Sequence, residues 1–441
     1  MPARYVIVGL GVAAVAAAEA VRAADANGAI SLISDDPHGY YSRPGLAYYL
    51  TGELPRSALF PWTDQDFSQM GLRRVHGRAT ALDPTDHRLT LADGTHLTYD
   101  RLLLATGAAA LRVALPGADL PEVVKLDNLE DAERILRLAR RAKTAVVTGG
   151  GITALEIVEG LHEHCRQVHY LLRGAGYWSN VLDDDEARLV LARLAQQGVQ
   201  VHFQSELATI EARNGHVAAV TTINGQRIAC DLVAVAIGVA PRVELARAAG
   251  LRIERGILVD DQLRTSAPDV FAAGDAAQVL DPRTGRATLD TLWNTARAHG
   301  SVAGVNMTGG SARYVKHAPF NVTRLAGITT TIIGTVGTGH DADVLGIARG
   351  DSEIWRQLGD ALVVEGAETA NHLRLLLGRR HLLGAVLMGD QRLSRALQHL
   401  IGEEVDISPI RGLLTQSNVD LYTTLAEFAA NHHSRPQWMP P

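Results

Sequence analysis

Twice along this chain a short apolar run ends in closely spaced glycines and reopens as a helix-forming stretch, and that repetition narrows the available folds more than any other feature. Tyr5 to Val8 leads into Gly9-Leu10-Gly11, an alanine-rich segment from Val12 to Arg22, then Asn27-Gly28 and an apolar run from Ala29 to Ser34. Ala145 to Thr148 leads into Gly149-Gly150-Gly151, a segment from Ile152 to about His164, then Val168 to Leu172. Each copy reads as strand, glycine turn, helix, strand. Fully apolar strands alternating with helices belong to parallel sheets covered on both faces, so the fold class is α/β.

A β-meander follows each copy. Ala79 to Asp83, Arg88 to Leu91 and Thr95 to Leu97 alternate around Asp93-Gly94, and Arg101 to Leu104 runs into Ala105-Thr106-Gly107. Leu207 to Arg213, His216 to Ile223 and Arg227 to Cys230 are joined by the hairpin signals Asn214-Gly215 and Asn224-Gly225, and Leu232 to Ile237 ends at Gly238. From about Tyr314 the glycine-turn plan gives way to short strands (Val322 to Leu325, Thr330 to Val336, Ala361 to Glu365, Leu382 to Met388) and two late helices (Arg392 to Ile401, Val419 to Asn431). The expected architecture is two Rossmann-like dinucleotide-binding domains, each with an inserted β-meander, plus a C-terminal α+β domain. The boundaries fall at 1–112 with 240–313, 113–239 and 314–441.

A chain of 441 residues has room for two or three such cores. Its net charge of −6 and the lack of any Lys/Arg block give no electrostatic footprint for nucleic acid. The two cysteines, Cys165 and Cys230, have neither C-x-x-C nor metal-ligand spacing, so no metal is expected and a reducing, cytoplasmic setting fits. The alanine-rich start has the look of a secretory signal, but Gly9 and Gly11 break it where a strand should turn. No stretch reaches the roughly 20 apolar residues of a membrane span.

A dinucleotide's pyrophosphate needs bare backbone N–H groups at a helix N-terminus. Gly9-x-Gly11-x-x-Ala14 offers them, with Val12 and Ala13 opening the helix, and Asp35-Asp36 at the next strand end are placed for ribose hydroxyls. Gly149-x-Gly151-x-x-Ala154 repeats the logic, with Ile152 opening its helix and Glu156 on the first turn. There the strand ends in Leu172-Arg173. An acid at that point favours NADH, whereas an arginine suits the 2′-phosphate of NADPH, so Arg173 leans toward NADPH unless it is simply a solvated charge. Ala272-Ala273-Gly274-Asp275 closes another apolar run, and Asp275 is suited to accept hydrogen bonds from ribityl hydroxyls.

With these motifs the chain resembles the two-dinucleotide-domain flavoproteins known as pyridine nucleotide-disulfide oxidoreductases, and within them the ferredoxin/rubredoxin reductase and nitrite-reductase-like branch. The resemblance is close from Tyr5 to Gly310 and loose beyond. It implies that 1–112 with 240–313 binds FAD and that 113–239 binds NAD(P)H. It adds Ala79, Ala105, Thr106 and Gly107, Gly238 and Trp293 to the cofactor-contacting set. Tyr41-Ser42-Arg43-Pro44-Gly45-Leu46-Ala47-Tyr48 resembles a family segment whose Arg and Lys approach the flavin. Arg43 matches, but Tyr48 stands in place of the Lys, so the family's Lys–Glu pair cannot form with Glu156. Arg43, Tyr48 and Glu156 are the catalytic candidates. Family members that reduce disulfides or peroxides carry redox cysteines in this first segment, and this chain has none there.

The resemblance implies an FAD-dependent NAD(P)H oxidoreductase that passes electrons to an external acceptor, such as a ferredoxin or rubredoxin. Two other readings are an NAD(P)H oxidase or nitrite-reductase electron-input subunit, and a flavin-bound redox sensor similar to apoptosis-inducing factor. The C-terminal domain is expected to contribute a homodimer interface, with Trp355 and the late helices as candidates for that role or for plain core.

Overall fold

The computed structural model describes residues 2–280, 285–334, 336, 372–416 and 419–432. These residues form two compact units, one holding residues up to Arg173 together with Val199–Val315, the other joining Gly174–Gly198 to the described residues from Lys316 onward. Trp355 and the expected strand Ala361 to Glu365 lie outside the described residues. Among the described residues no helix is long and apolar enough to cross a membrane.

The first unit contains two parallel sheets of five strands. One runs Val270–Ala272, Arg101–Leu104, Arg4–Val8, Ala29–Ser34, Leu72–His76; the other runs Gln200–His202, Gln167–Leu171, Thr144–Thr148, Leu232–Val235, Val123–Val124. Register brings the strand ends level: Val8 lies opposite Ile33 and Leu104, and Thr148 opposite Leu171 and Val235. The glycine turns therefore leave both sheets at their carboxyl edge, where ligands of open α/β sheets bind. Tyr5 to Val8 and Leu102 to Leu104 are buried, as continuous apolar runs require in a sheet covered on both faces, and Leu82, Leu89 and Leu91 of the first meander share their core.

Both meanders form as antiparallel three-stranded sheets, Ala79–Asp83, Arg88–Leu91, His96–Thr98 and Leu207–Arg213, His216–Thr222, Arg227–Ala229. At Asn214-Gly215 both residues take positive φ, 55° and 81°, as a primed hairpin turn demands. At Asn224-Gly225 only the glycine does, at 78°. That connection closes instead through Thr222, whose backbone N–H bonds the Gln226 carbonyl at 2.9 Å.

The helix Val12–Ala24 buries Ala13, Ala14, Ala16, Ala17 and Ala18. Against it packs a helix that apolar periodicity does not reveal, Trp293–Met307, because its contact face is made of small residues. A Cβ on Gly300 would sit 2.1 Å from the Ala13 carbonyl oxygen, and one on Gly304 would sit 2.4 Å from that of Ala17. Only glycine admits this approach.

The second unit holds an antiparallel sheet in the order Phe320–Leu325, Ile328–Gly334, Leu382–Met388, His372–Leu377. The helices Ser394–Gly402, Ser408–Leu414 and Leu421–Asn431 close a core that includes Ile333, Leu397, Leu400 and Phe428. The strand at His372 and the helix at Ser408 are additions to the sequence reading. Arg374 interrupts the strand's apolar run, yet its guanidinium bonds both carboxylate oxygens of fully buried Glu186, at 2.8 and 2.9 Å. Asp183, Glu186 and His372 cluster at metal-ligand distances, but Arg374 already supplies the positive charge there.

Candidate functional site

The site is built where the first glycine turn crosses the end of its neighbouring strand. Gly9 has φ +125°, and a Cβ there would stand 2.1 Å from the carbonyl oxygen of Ala105, so any side chain would push the turn off the sheet. Gly11, the N-cap of the helix Val12–Ala24, would place a Cβ in open space. Its helix has neither a side-chain cap nor an acid in the first turn. By contrast, Asn128, Asp183 and Asp420 cap the helices they begin. The N–H groups after Gly11 thus remain available to an outside acceptor.

They face a cavity of about 530 Å³, within the range that cofactor sites occupy. Of the sequence-predicted residues, Gly9, Gly11, Val12, Ala13, Asp35, Asp36, Arg43, Ala79, Ala105, Thr106, Gly107, Gly274, Asp275 and Trp293 all line it. The two acids at the strand end are not equivalent. Asp36 is engaged in its own loop, accepting from the His38 N–H at 2.9 Å and from the Tyr41 hydroxyl at 3.0 Å. Asp35 makes no such bond among the described residues. Tyr41 in turn accepts from the Leu129 N–H at 3.1 Å, and burial raises its phenol to about 12, with Asp36 adding to the rise. It stays a neutral donor at any ordinary pH.

Trp293 opens the helix Trp293–Met307, which sets its ring at the cavity wall, with the Arg297 guanidinium 6.0 Å from the ring centroid. Gly274 has φ +70°, and a Cβ there would lie 3.1 Å from that of Ala13, so Gly274-Asp275 sits directly against the first helix.

Among the lining residues missed in the sequence are Asp127 and Arg242. Asp127 is only 5 % exposed, and its carboxylate meets Arg242 Nη2 at 2.7 Å, Arg43 Nη1 at 3.7 Å and Lys125 Nζ at 3.7 Å. Burial by itself would lower the Arg43 guanidinium, but Tyr41, Asp127, Asp36 and Asp275 carry it above its ordinary value. A buried carboxylate ringed by cations was the available signal in principle, but the partners are scattered across the chain.

The second glycine turn matches the first. Gly149 has φ +144° with its Cβ position 2.1 Å from the Ala236 carbonyl oxygen, and Gly150 and Gly151 open on empty space. The helix Ile152–His162 is likewise uncapped. Gly238, at φ +117°, accepts through its carbonyl from the Leu111 N–H at 2.9 Å. Leu172 is buried and Arg173 exposed. Glu156 lies just past the first helical turn, not on it, because the helix starts at Ile152; it is buried. Glu156, Tyr48, Gly149, Gly151, Ile152, Arg173 and Gly238 do not line the 530 Å³ cavity. Tyr48 lies on the short helix Gly45–Leu50, which packs against Ile152–His162, and a Cβ on Gly160 would reach within 2.7 Å of the Leu50 Cβ.

Both cysteines are buried, and burial raises Cys165 to about 11 and Cys230 to about 12. Cys165 lies just beyond the helix Ile152–His162.

A family model for pyridine nucleotide-disulphide oxidoreductases matches residues 3–300. The ferredoxin–NAD(+) reductase component of the biphenyl dioxygenase system of Paraburkholderia xenovorans (strain LB400) is 35 % identical over 293 residues, 66 % of this chain and 71 % of that protein. A rubredoxin-NAD(+) reductase of Ectopseudomonas oleovorans is 31 % identical over 309 residues, 69 % of this chain and 80 % of its own. Among solved structures, a ferredoxin reductase from Rhodopseudomonas palustris superposes with a TM-score of 0.81 at 24 % identity, covering 97 % of this chain and 99 % of the other. At that identity the likeness is one of fold.

Proposed function

The chain belongs to the pyridine nucleotide-disulphide oxidoreductase family, and from that premise we propose how its residues divide the work of an enzyme carrying electrons from a nicotinamide cofactor through FAD to a small redox protein. The observation that supports the reading most is the cavity over the uncapped helix after Gly11, where open backbone N–H groups, one uncommitted acid and two guanidiniums converge. That donor set fits an anionic dinucleotide. FAD, when bound, supplies acceptance of two electrons from reduced nicotinamide and their release one at a time.

In this assignment 1–112 with 240–313 binds FAD, 113–239 binds NAD(P)H, and 314–441 is the third domain. The N–H groups of Gly11, Val12 and Ala13 hold the pyrophosphate, Asp35 takes the ribose hydroxyls, and Asp275 takes the ribityl chain beside Gly274. Ala79, Ala105, Thr106, Gly107 and Trp293 form the walls that exclude water, and Asp36 keeps Tyr41 and its loop in place. Gly149, Gly151 and Ile152 hold the nicotinamide cofactor's pyrophosphate, and Gly238 shapes the connection beside them. Tyr48 and Glu156 act as positioning groups near the contact between their two helices, and electrons pass to the acceptor without a cysteine relay.

Arg173, exposed at a strand end without an acid, selects the 2′-phosphate of NADPH. This departs from the two relatives named for NAD(+). Two free, buried thiols suit a reducing cytoplasm. The external acceptor is a ferredoxin or rubredoxin, as the names of the relatives suggest. The test is anaerobic: flavin absorbance should bleach on adding NADPH or NADH and return on adding oxidised ferredoxin or rubredoxin. Flavin that stays oxidised with both nicotinamides would sink the proposal, and faster turnover with oxygen than with either protein would replace the acceptor by oxygen.

A further inference from the structure

Asp127 and Arg242 stand on the two connections that join the dinucleotide units. The ribbon of Ala108–Ala110 paired with Val239–Pro241 carries the chain out and back. Asp127 follows the outgoing connection, and Arg242 ends the returning one, 115 residues later. Each is fixed by its own neighbours. Asn128 caps the helix Leu129–Ala139 by accepting from the Asp131 N–H, and Asp131 accepts from the Asp127 N–H at 3.0 Å and from Lys125 Nζ at 2.6 Å. The Arg242 backbone carbonyl accepts from the Thr106 hydroxyl at 2.8 Å, while its N–H donates to the Gly107 carbonyl at 2.9 Å.

Between these supports the carboxylate of Asp127, almost wholly buried, takes Arg242 on one oxygen and faces Arg43 with the other, and its backbone carbonyl accepts from Arg43 Nη1 at 2.8 Å. The two arginine side chains keep 38 % and 36 % of their surface, and both line the cavity. Lys125 is matched by Asp131. The cluster therefore holds three cations and two anions, and because Asp35, Asp36 and Asp275 line the same cavity, Asp127 and Arg242 contribute charges of opposite sign to a wall of mixed charge.

Resting on the assignment of that cavity to FAD, we propose that Asp127 and Arg242 form an electrostatic positioning pair that sets the net charge beside the flavin and thereby its reduction potential. Reduction adds negative charge to the ligand, so a positive charge at the wall favours the reduced form and a negative one opposes it. Removing the Asp127 charge leaves one more cation facing the ligand, and removing the Arg242 charge leaves one fewer. The sign of each effect follows from Coulomb's law at any separation inside the cavity.

The experiment measures the midpoint potential of FAD bound to the full chain by equilibration with reference dyes, in Asp127→Asn, Arg242→Gln, Asp127→Glu and the double variant Asp127→Asn/Arg242→Gln. The potential should move positive in the first and negative in the second. It should stay near the wild-type value in the third and return toward it in the double variant, whose net charge equals that of the wild type. Single-variant potentials that coincide with wild type, or that shift in the same direction, would overturn the pair's role. If Asp127→Asn loses its flavin, Arg242→Gln and the double variant still decide. A wild-type protein whose flavin no nicotinamide bleaches fails the function itself. One that bleaches normally while all potentials coincide fails only this inference.

Discussion

The two glycine-turn units of this chain share a backbone solution and part company at one strand end. In each, a glycine at positive φ lies so close to the adjacent connection that a Cβ would stand 2.1 Å from a carbonyl oxygen, that of Ala105 in one and of Ala236 in the other. Each then opens an uncapped helix. Where the next strand finishes, the first unit presents Asp35-Asp36 and the second Leu172-Arg173. Sterics and helix-end hydrogen bonding dictate the shared part, because any pyrophosphate makes the same demand. The strand end is free to vary, and under the proposed assignment it is what would separate a free ribose from a phosphorylated one.

Breaking the shared part should have the largest consequence. Gly9→Val should yield protein without flavin absorbance after purification, since both the space and the φ are denied. Gly149→Val should keep its yellow colour and lose bleaching by either nicotinamide, showing that the turns serve different ligands. A Gly149→Val protein still reduced at the wild-type rate would break the comparison. Next in size, Asp35→Ala should weaken FAD by roughly 10- to 100-fold, the scale of a lost charge-assisted hydrogen bond of about 1.5–3 kcal/mol, whereas Asp36→Ala should act mainly through the loop it ties to Tyr41. Equilibrium titration of apoprotein with FAD measures both.

The strand end of the second unit is sharpened by Arg173→Ala, which should cut kcat/KM for NADPH by about 10-fold relative to NADH, within the range of a charge-assisted contact. Leu172→Asp should move the ratio further toward NADH. An unchanged ratio in both would return Arg173 to the status of a solvated charge. The smallest effect belongs to the thiols. With Cys165 near 11 and Cys230 near 12, at most about 0.1 % of either is thiolate at pH 8 in the folded state. Alkylation of native protein should then be slow, and Cys165→Ser with Cys230→Ser should leave bleaching intact. The sign for stability runs downward with pH: the folded values exceed the unfolded one of about 8.5, so unfolded chains shed these protons first and stability declines above that value.

Much of the scaffold was legible because its signals are local. Strand, glycine turn and helix follow one another within about 25 residues, and Asn214-Gly215 announces a hairpin by the φ values only such residues tolerate. Fourteen of the expected cofactor residues meet around one cavity for the same reason, since level strand ends carry their adjoining loops to one edge. The helix Trp293–Met307 was not legible, because Gly300 and Gly304 make its contact by lacking side chains, which leaves no apolar stripe to detect. Nor was the strand His372–Leu377, whose Arg374 reads as exposed until fully buried Glu186 is seen to meet it.

Sequence alone determined that two dinucleotide-type units exist, where their turns lie, and that no reactive cysteine stands between them. These are properties of residues near one another, set by steric limits on φ and by the alternation of strand and helix. Tertiary structure alone decided that Asp36 is committed to Tyr41 while Asp35 is not, and that Asp127 lies between Arg43 and Arg242. Charge pairing acts through space in a medium of low polarity, and no pattern along the chain encodes which distant side chains folding will bring within 4 Å of one another.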